Sequence, residues 1–186
     1  MSGLDELFWR AAKAVPVALS DWDDRGAAWC LEYADEHPGA KISEINLGFA
    51  VFLFDHRAER VTLAYALSEE QLMRRDSARM RGFPNVNAAH VAHPGEQFVA
   101  DKGHFLGHAS GGVLDINLLP HRRELNRGWS PDGKRFRGME TYVAEHPGTF
   151  FYHRPSYDDE TWIPQCLEYG VLVENREWWV DRFANR

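Results

Sequence analysis

The sequence predicts an α+β fold in a single domain spanning residues 1–186, with a mostly antiparallel sheet and flanking helices. Three observations carry this. Apolar residues near the N-terminus repeat at helical spacing. Two apolar runs, 47–54 and 60–67, are joined by Asp55-His56-Arg57-Ala58-Glu59. Three more short apolar and aromatic runs follow residue 148. Hydrophobic residues make up 44% and charged residues 26%, an ordinary globular balance that excludes disorder and fibre. No run approaches the length of a membrane span, so no membrane partner is expected. Cys30 and Cys166 permit at most one internal bridge, which excludes a disulfide framework or a four-cysteine zinc site.

Leu4, Leu7, Phe8, Ala11, Ala12 and Val15 form an apolar stripe that Pro16 stops, predicting an amphipathic helix packed on the body. Residues 26–36 read as a second helix, and Cys30 between Trp29 and Leu31 reads as core. This helix ends in His37-Pro38-Gly39: a side chain suited to the dipole, a helix breaker, and a residue tolerant of positive φ. Residues 1–40 are thus expected to be an N-terminal helical appendage. The same triplet recurs at 93–95 and 146–148, and Tyr33 to Gly39 echoes Tyr142 to Gly148. The echo is too short for a structural repeat, so His37, His93 and His146 read as punctuation.

Val61, Leu63, Tyr65 and Leu67 alternate, predicting a hairpin with one buried face. Ser68-Glu69-Glu70-Gln71 is a capping-box signature that opens a helix through about Met80, and 82–97 reads as loop. Thr149 to His153, Cys166 to Val173 and Trp178 to Phe183 read as late strands, with Pro155 and Pro164 in a loop. Trp178 and Trp179 read as packing residues.

Net charge is −7, and that mean argues against a polyanionic partner. The distribution is uneven. Acidic residues gather at 21–36 and in the tail, whereas Arg74, Arg75, Arg79 and Arg81 form one basic cluster. Arg122, Arg123, Arg127, Lys134, Arg135 and Arg137 form another. A basic groove on a protein with an acidic back remains compatible with these numbers.

The chemistry concentrates in 98–145. Phe98 to Ala100 leads into Asp101-Lys102-Gly103-His104. Glycines at 103, 107, 111 and 112 oppose a helix, so His104 and His108 do not share a helical face. A zinc-protease helix also needs Glu after its first His, where this chain has Phe105. Asp115 to Leu119 reads as a return strand. Pro120 then precedes a short helix, His121 to Trp129, closed by Gly128 or by Ser130-Pro131-Asp132-Gly133. Such a ββα unit can hold a base and a metal ligand on facing elements. A neutral imidazole at His104 suits proton abstraction from water. The Asn126 carbonyl is a hard oxygen ligand, suited to Mg²⁺ that keeps most of its waters.

Residues 99–129 resemble the DNA/RNA non-specific endonucleases, the ββα-metal or His-Me finger nucleases. Their Asp-Arg-Gly-His motif is matched by Asp101-Lys102-Gly103-His104. Their downstream pattern is matched by Asn117-Leu118-Leu119-Pro120-His121 and Leu125-Asn126-Arg127-Gly128-Trp129. Gly111-Gly112 and Asp115 fit the form of bacterial toxin members. The resemblance weakens over 136–186 and does not extend upstream of 97.

It implies a metal-dependent endonuclease with little sequence preference, acting on DNA and/or RNA with Mg²⁺ or Mn²⁺. His104 would be the general base and Asn126 the direct metal ligand. Asn117 would orient the site from the strand, and Glu140 would be the acidic residue of the following helix. Arg79 or Arg81, with Arg74 and Arg75 behind them, would stabilise the pentacovalent phosphate. Lys102, Arg127 and Arg122 would contact substrate phosphate. There are two departures: Lys102 keeps the charge of the motif arginine but loses its planar fork, and His121 stands where Gln is frequent. Ser130 to Arg137 reads as an insertion before the helix that carries Glu140.

Asp5 and Glu6 stand where a secretory signal needs positive charge, so no ordinary signal peptide is expected. That fits a protein that is cytoplasmic in its producer or delivered to a target cell as an antibacterial toxin. An inhibitor or immunity partner would then control it. Two alternatives stand beside the nuclease. One is a catalytically weak or inactive ββα module that binds nucleic acid or a protein. The other is a zinc protein using His104, His108 and another His, which the absence of nearby cysteines opposes.

Overall fold

The computed structural model describes residues 18–71, 99–174 and 177–186. The helix expected over 4–15, residues 72–80 of the helix expected after Ser68, the cluster Arg74, Arg75, Arg79 and Arg81, and the loop with His93 lie outside the described residues.

A six-stranded antiparallel sheet forms the middle layer, in the order β1-β2-β3-β6-β7-β8. Its strands are β1 (Ile42–Asn46), β2 (Ala50–Asp55), β3 (Arg60–Leu67), β6 (Phe150–Ser156), β7 (Cys166–Leu172) and β8 (Trp178–Ala184). The expected hairpin is β2–β3, and the three late strands are β6–β8. β1 went unread because its short sequence, Ile-Ser-Glu-Ile-Asn, is only half-buried and carries little alternation. Pro155 lies inside β6 rather than in a loop. It is tolerated because β3 pairs only with residues 150–153, so Pro155 has a strand partner on one side alone.

Both faces of the hairpin are buried, not one. Val51, Leu53, Leu63 and Tyr65 pack toward helix α1 (Asp23–Glu36), with Trp22, Trp29 and Tyr33. Phe52, Ala64 and Ala66 pack the other way, against Phe105, Leu106, Leu119, Leu125, Phe136 and Met139. The described part of the N-terminal segment is therefore a layer of the fold. Trp22 alone touches Tyr65, Phe150, Tyr152 and Trp178, with ring centroids 4.8–5.6 Å apart.

This second core cluster lies between the sheet and a unit inserted between β3 and β6. The unit contains a two-stranded sheet, β4 (Ala100–His104) with β5 (Leu118–Arg122), a one-turn helix α2 (Arg123–Asn126) and helix α3 (Pro131–Glu145). This is the expected ββα arrangement with shifted boundaries. Asp115–Asn117 is a 3₁₀ turn, and the return strand starts at Leu118. Pro120 and His121 lie in that strand. A proline is harmless there because β5 pairs with β4 only. Ser130 does not stop a helix but starts one: its hydroxyl accepts from Gly133 N at 2.9 Å, with Pro131 in the first turn. Residues 131–137 are thus the first turns of α3 and not an insertion.

The two His-Pro-Gly stops within the described residues are the same device built twice. His37 stacks on Tyr33 and His146 on Tyr142, each at 4.1 Å. Each Nδ1 lies 2.8–3.1 Å from the carbonyl oxygen of that tyrosine, and Gly39 and Gly148 take φ of +87° and +88°. Ser68, read as a helix cap, instead locks this second turn. Its hydroxyl donates to His146 O and accepts from Thr149 N, and residues 68–71 are not helical.

Candidate active site

β4 and β5 run antiparallel with Asp101 opposite His121 and His104 opposite Leu118. Strand alternation separates two faces of β4. Lys102 and His104 share one face and line a cleft of about 400 Å³. The same cleft is walled by Gly107 to Ser110 of the following loop, by Asn126 of α2, and by Arg137, Glu140 and Glu145 of α3. His104 and Asn126, singled out from the sequence, therefore line one cavity, with two carboxylates and two cations.

Asp101 carries the opposite face. Its carboxylate accepts from Arg123 Nε at 3.1 Å, from Arg127 Nη2 at 3.0 Å, and from Arg127 Nε. Burial disfavours its ionised form, but the bonds from Arg127 and Arg123, the charge of Arg127 and a bond from Asn126 outweigh it. Its pKa therefore lies below the usual carboxylate range. Asp101 thus ties α2 to β4 and, through Asn126, steadies the proposed ligand. Burial lowers the Lys102 pKa.

His121 fills the space between the strands and α3. It is fully buried, and its ring sits edge-on to Phe136 at 4.9 Å. Burial drives its pKa down to about 3 against the opposing pull of Asn126 and Asp101, and His104 adds to the lowering. Gly103 is required beneath it, since a Cβ at that position would lie 2.4 Å from the His121 ring. Behind it His153 is also buried and neutral, its Nδ1 bonded to Phe105 O.

Several assignments change. Asn117 does not reach the cleft. It is fully buried, with Oδ1 accepting from Leu106 N at 2.7 Å and Nδ2 donating to Leu106 O and Val113 O. It pins the loop that follows His104 and so positions the wall rather than touching substrate. Arg127 does not line the cleft either, because Asp101 holds its guanidinium. Arg122 is exposed at the strand end, 3.5 Å from Glu124. Arg79 and Arg81 lie outside the described residues. Glu140 does line the cleft, at 19% side-chain exposure, and pairs with Arg137 Nη1 at 2.8 Å. Arg137 was missed as a site residue. Its three-residue spacing from Glu140 was the available signal, but it lay in the stretch read as an insertion.

Two other cavities are less suited to hydrolysis. One of about 300 Å³, lined by Phe54, Val61, Leu118, Tyr157 and Trp162, is mostly apolar. Another of about 350 Å³ holds Glu168, which accepts from Tyr152, Arg154 and Arg182 at 2.7–2.9 Å. That is an ion cluster centred on the buried Glu168. Among the described residues no three His, Cys, Asp or Glu side chains are grouped to hold a metal, which does not favour the zinc reading.

No protein-family model matches the chain, and no curated protein matches it in sequence. Among solved structures, an extracellular endonuclease is similar over 81% of this chain and 71% of that one, at 16% identity and a TM-score of 0.38. So low a score adds no weight, and the functional reading stands on the cleft.

Proposed function

We propose that this chain is an endonuclease that hydrolyses phosphodiesters of DNA and/or RNA with the help of a divalent cation. The supporting observation is the convergence of His104, Asn126, Lys102 and the Arg137–Glu140 pair on one cleft. His104 takes a proton from water as the water oxygen attacks phosphorus. The new P–O bond forms in line with the bond to the departing 3′ oxygen, which breaks. Lys102 and Arg137 offer positive charge to the non-bridging oxygens. Glu140 fixes the direction of Arg137. These contacts read backbone rather than bases, so sequence preference is weak.

The donor set suits Mg²⁺ or Mn²⁺: a carboxamide oxygen at Asn126 with a carboxylate across the cleft, all hard oxygen. Bound by Asn126, such an ion would supply Lewis-acid charge to the phosphate and the leaving oxygen. One observation favours the second reading, a ββα module that binds without turnover. Asn126 is a single neutral ligand, and no acidic cluster stands beside it among the described residues.

The test is nicking of supercoiled plasmid and degradation of RNA, with Mg²⁺, Mn²⁺ or chelator. The expected result is metal-dependent cleavage, reduced about 100-fold or more in His104→Ala. Absence of cleavage with every divalent ion would turn the assignment to the binding module. On the nuclease reading, a delivered toxin restrained by an inhibitor protein is the context we infer, since unrestrained cleavage would harm the producer.

A further inference from the structure

We infer that Trp129 is a stacking platform for a nucleobase flanking the phosphate held in the cleft. This rests on the nuclease reading and names the part of the substrate that reading leaves untouched. Trp129 is 63% exposed, well above Trp179 at 38%, while Trp22 and Trp29 are buried. A single exposed apolar side chain is ordinary on a protein surface, so the case rests on how this indole is held and where it stands.

The ring is not on a loose loop. Trp129 N donates to Glu124 O at 2.9 Å, and Gly128 N donates to Leu125 O at 3.2 Å. Gly128 takes φ +70°, and Ser130 directly caps α3. The indole also stacks on the Arg127 guanidinium at 4.9 Å, and Asp101 holds that guanidinium from behind. The aromatic face is therefore preset before any ligand arrives, which reduces the ordering cost of binding.

Its place is equally specific. Asn126, three residues earlier, lines the cleft, and Arg137 of the opposite wall packs its Cγ against Gly128. A strand whose phosphate sits beside Asn126 carries its adjoining base to this rim. Lys102 and Arg137 of the cleft are matched there by Glu140 and Glu145, so it is the open π face of the indole, more than net charge, that suits a ligand carrying nucleobases. Stacking is tolerant of sequence, so the platform adds affinity without adding a base code.

The experiment uses the full chain carrying His104→Ala, so that the strand stays intact. Fluorescence anisotropy compares a labelled single-stranded 12-mer with an abasic strand of equal length. The base-bearing strand is expected to bind about tenfold more tightly. Adding Trp129→Ala removes that advantage, and Trp129→Phe restores most of it. If Trp129→Ala keeps the advantage, or weakens both strands equally, the platform is overturned. A Trp129→Ala effect on neither strand likewise overturns it and leaves the indole as a protein contact. A protein that cuts plasmid but shows no base advantage loses the platform alone. One that shows the advantage but never cuts loses the hydrolytic reading alone.

Discussion

Gly103 is a tightly packed position beside the site. The residue needs no unusual backbone; it needs the absence of a side chain, because the His121 ring occupies that space. Gly103→Ala should cost about 1–3 kcal/mol in urea unfolding, as overpacked cores do. His121→Ala in the same chain should recover much of the loss, and a full loss in the double variant would show that another contact is responsible. That His104, Asn126 and Lys102 come together at one cleft was legible in the sequence because their spacing brackets a short hairpin. Asn117 was legible as a residue that orients the site, and what it holds is the loop after His104. The return strand was read three residues early: Asn117 lies in the 3₁₀ turn at Asp115–Asn117, not in the strand, and that turn aims its side chain at the loop. Arg137 was hidden by the error at Ser130.

The interface between the ββα unit and the central sheet carries an acid liability. His121 and His153 are both fully buried there, and burial depresses both pKa values, His121 to about 3 and His153 well below the ordinary 6.5. The unfolded chain binds protons on these rings near pH 6.5, and the folded chain does not. Stability is thus complete above that pH and falls as pH drops, by about 1.4 kcal/mol per pH unit for each ring. Urea midpoints should decline steadily from pH 7 to pH 5, and His153→Gln should show a shallower decline. An unchanged slope in that variant would remove His153 as a cause. Boundaries in this unit resisted sequence reading because the same letters serve opposite ends of a helix. Ser-Pro-Asp-Gly closes one helix or opens the next, and only the Ser130 hydroxyl bonded to Gly133 N decides. Pro120 misled for a related reason: it excludes a central strand, but β5 has a partner on one side only.

The three layers form one continuous structure, with the sheet buried on both sides. α1 sits on the face opposite the cleft, yet its aromatic residues and Trp22 just before it pack against the strands that support the ββα unit. Trp22→Ala should therefore lower stability by about 3–5 kcal/mol. That is a large share of a typical domain's 5–15 kcal/mol, so activity and α1 should be lost in one urea transition. Separate transitions for intrinsic fluorescence and cleavage would show that the layers unfold independently. The antiparallel sheet was readable from its apolar runs. The integral role of the α1 layer was not, because an amphipathic helix shows in sequence that it packs but not against what. Net charge was also a weak guide: at −7 overall, the protein sets Lys102 and Arg137 against Glu140 and Glu145 in its cleft.

Chemical rescue tests most directly whether His104 is the base. His104→Ala should be nearly inactive on plasmid in Mg²⁺, and free imidazole should restore cleavage in proportion to its neutral form, so rescue climbs with pH. Wild-type cleavage by His104→Ala without imidazole would contradict the assignment.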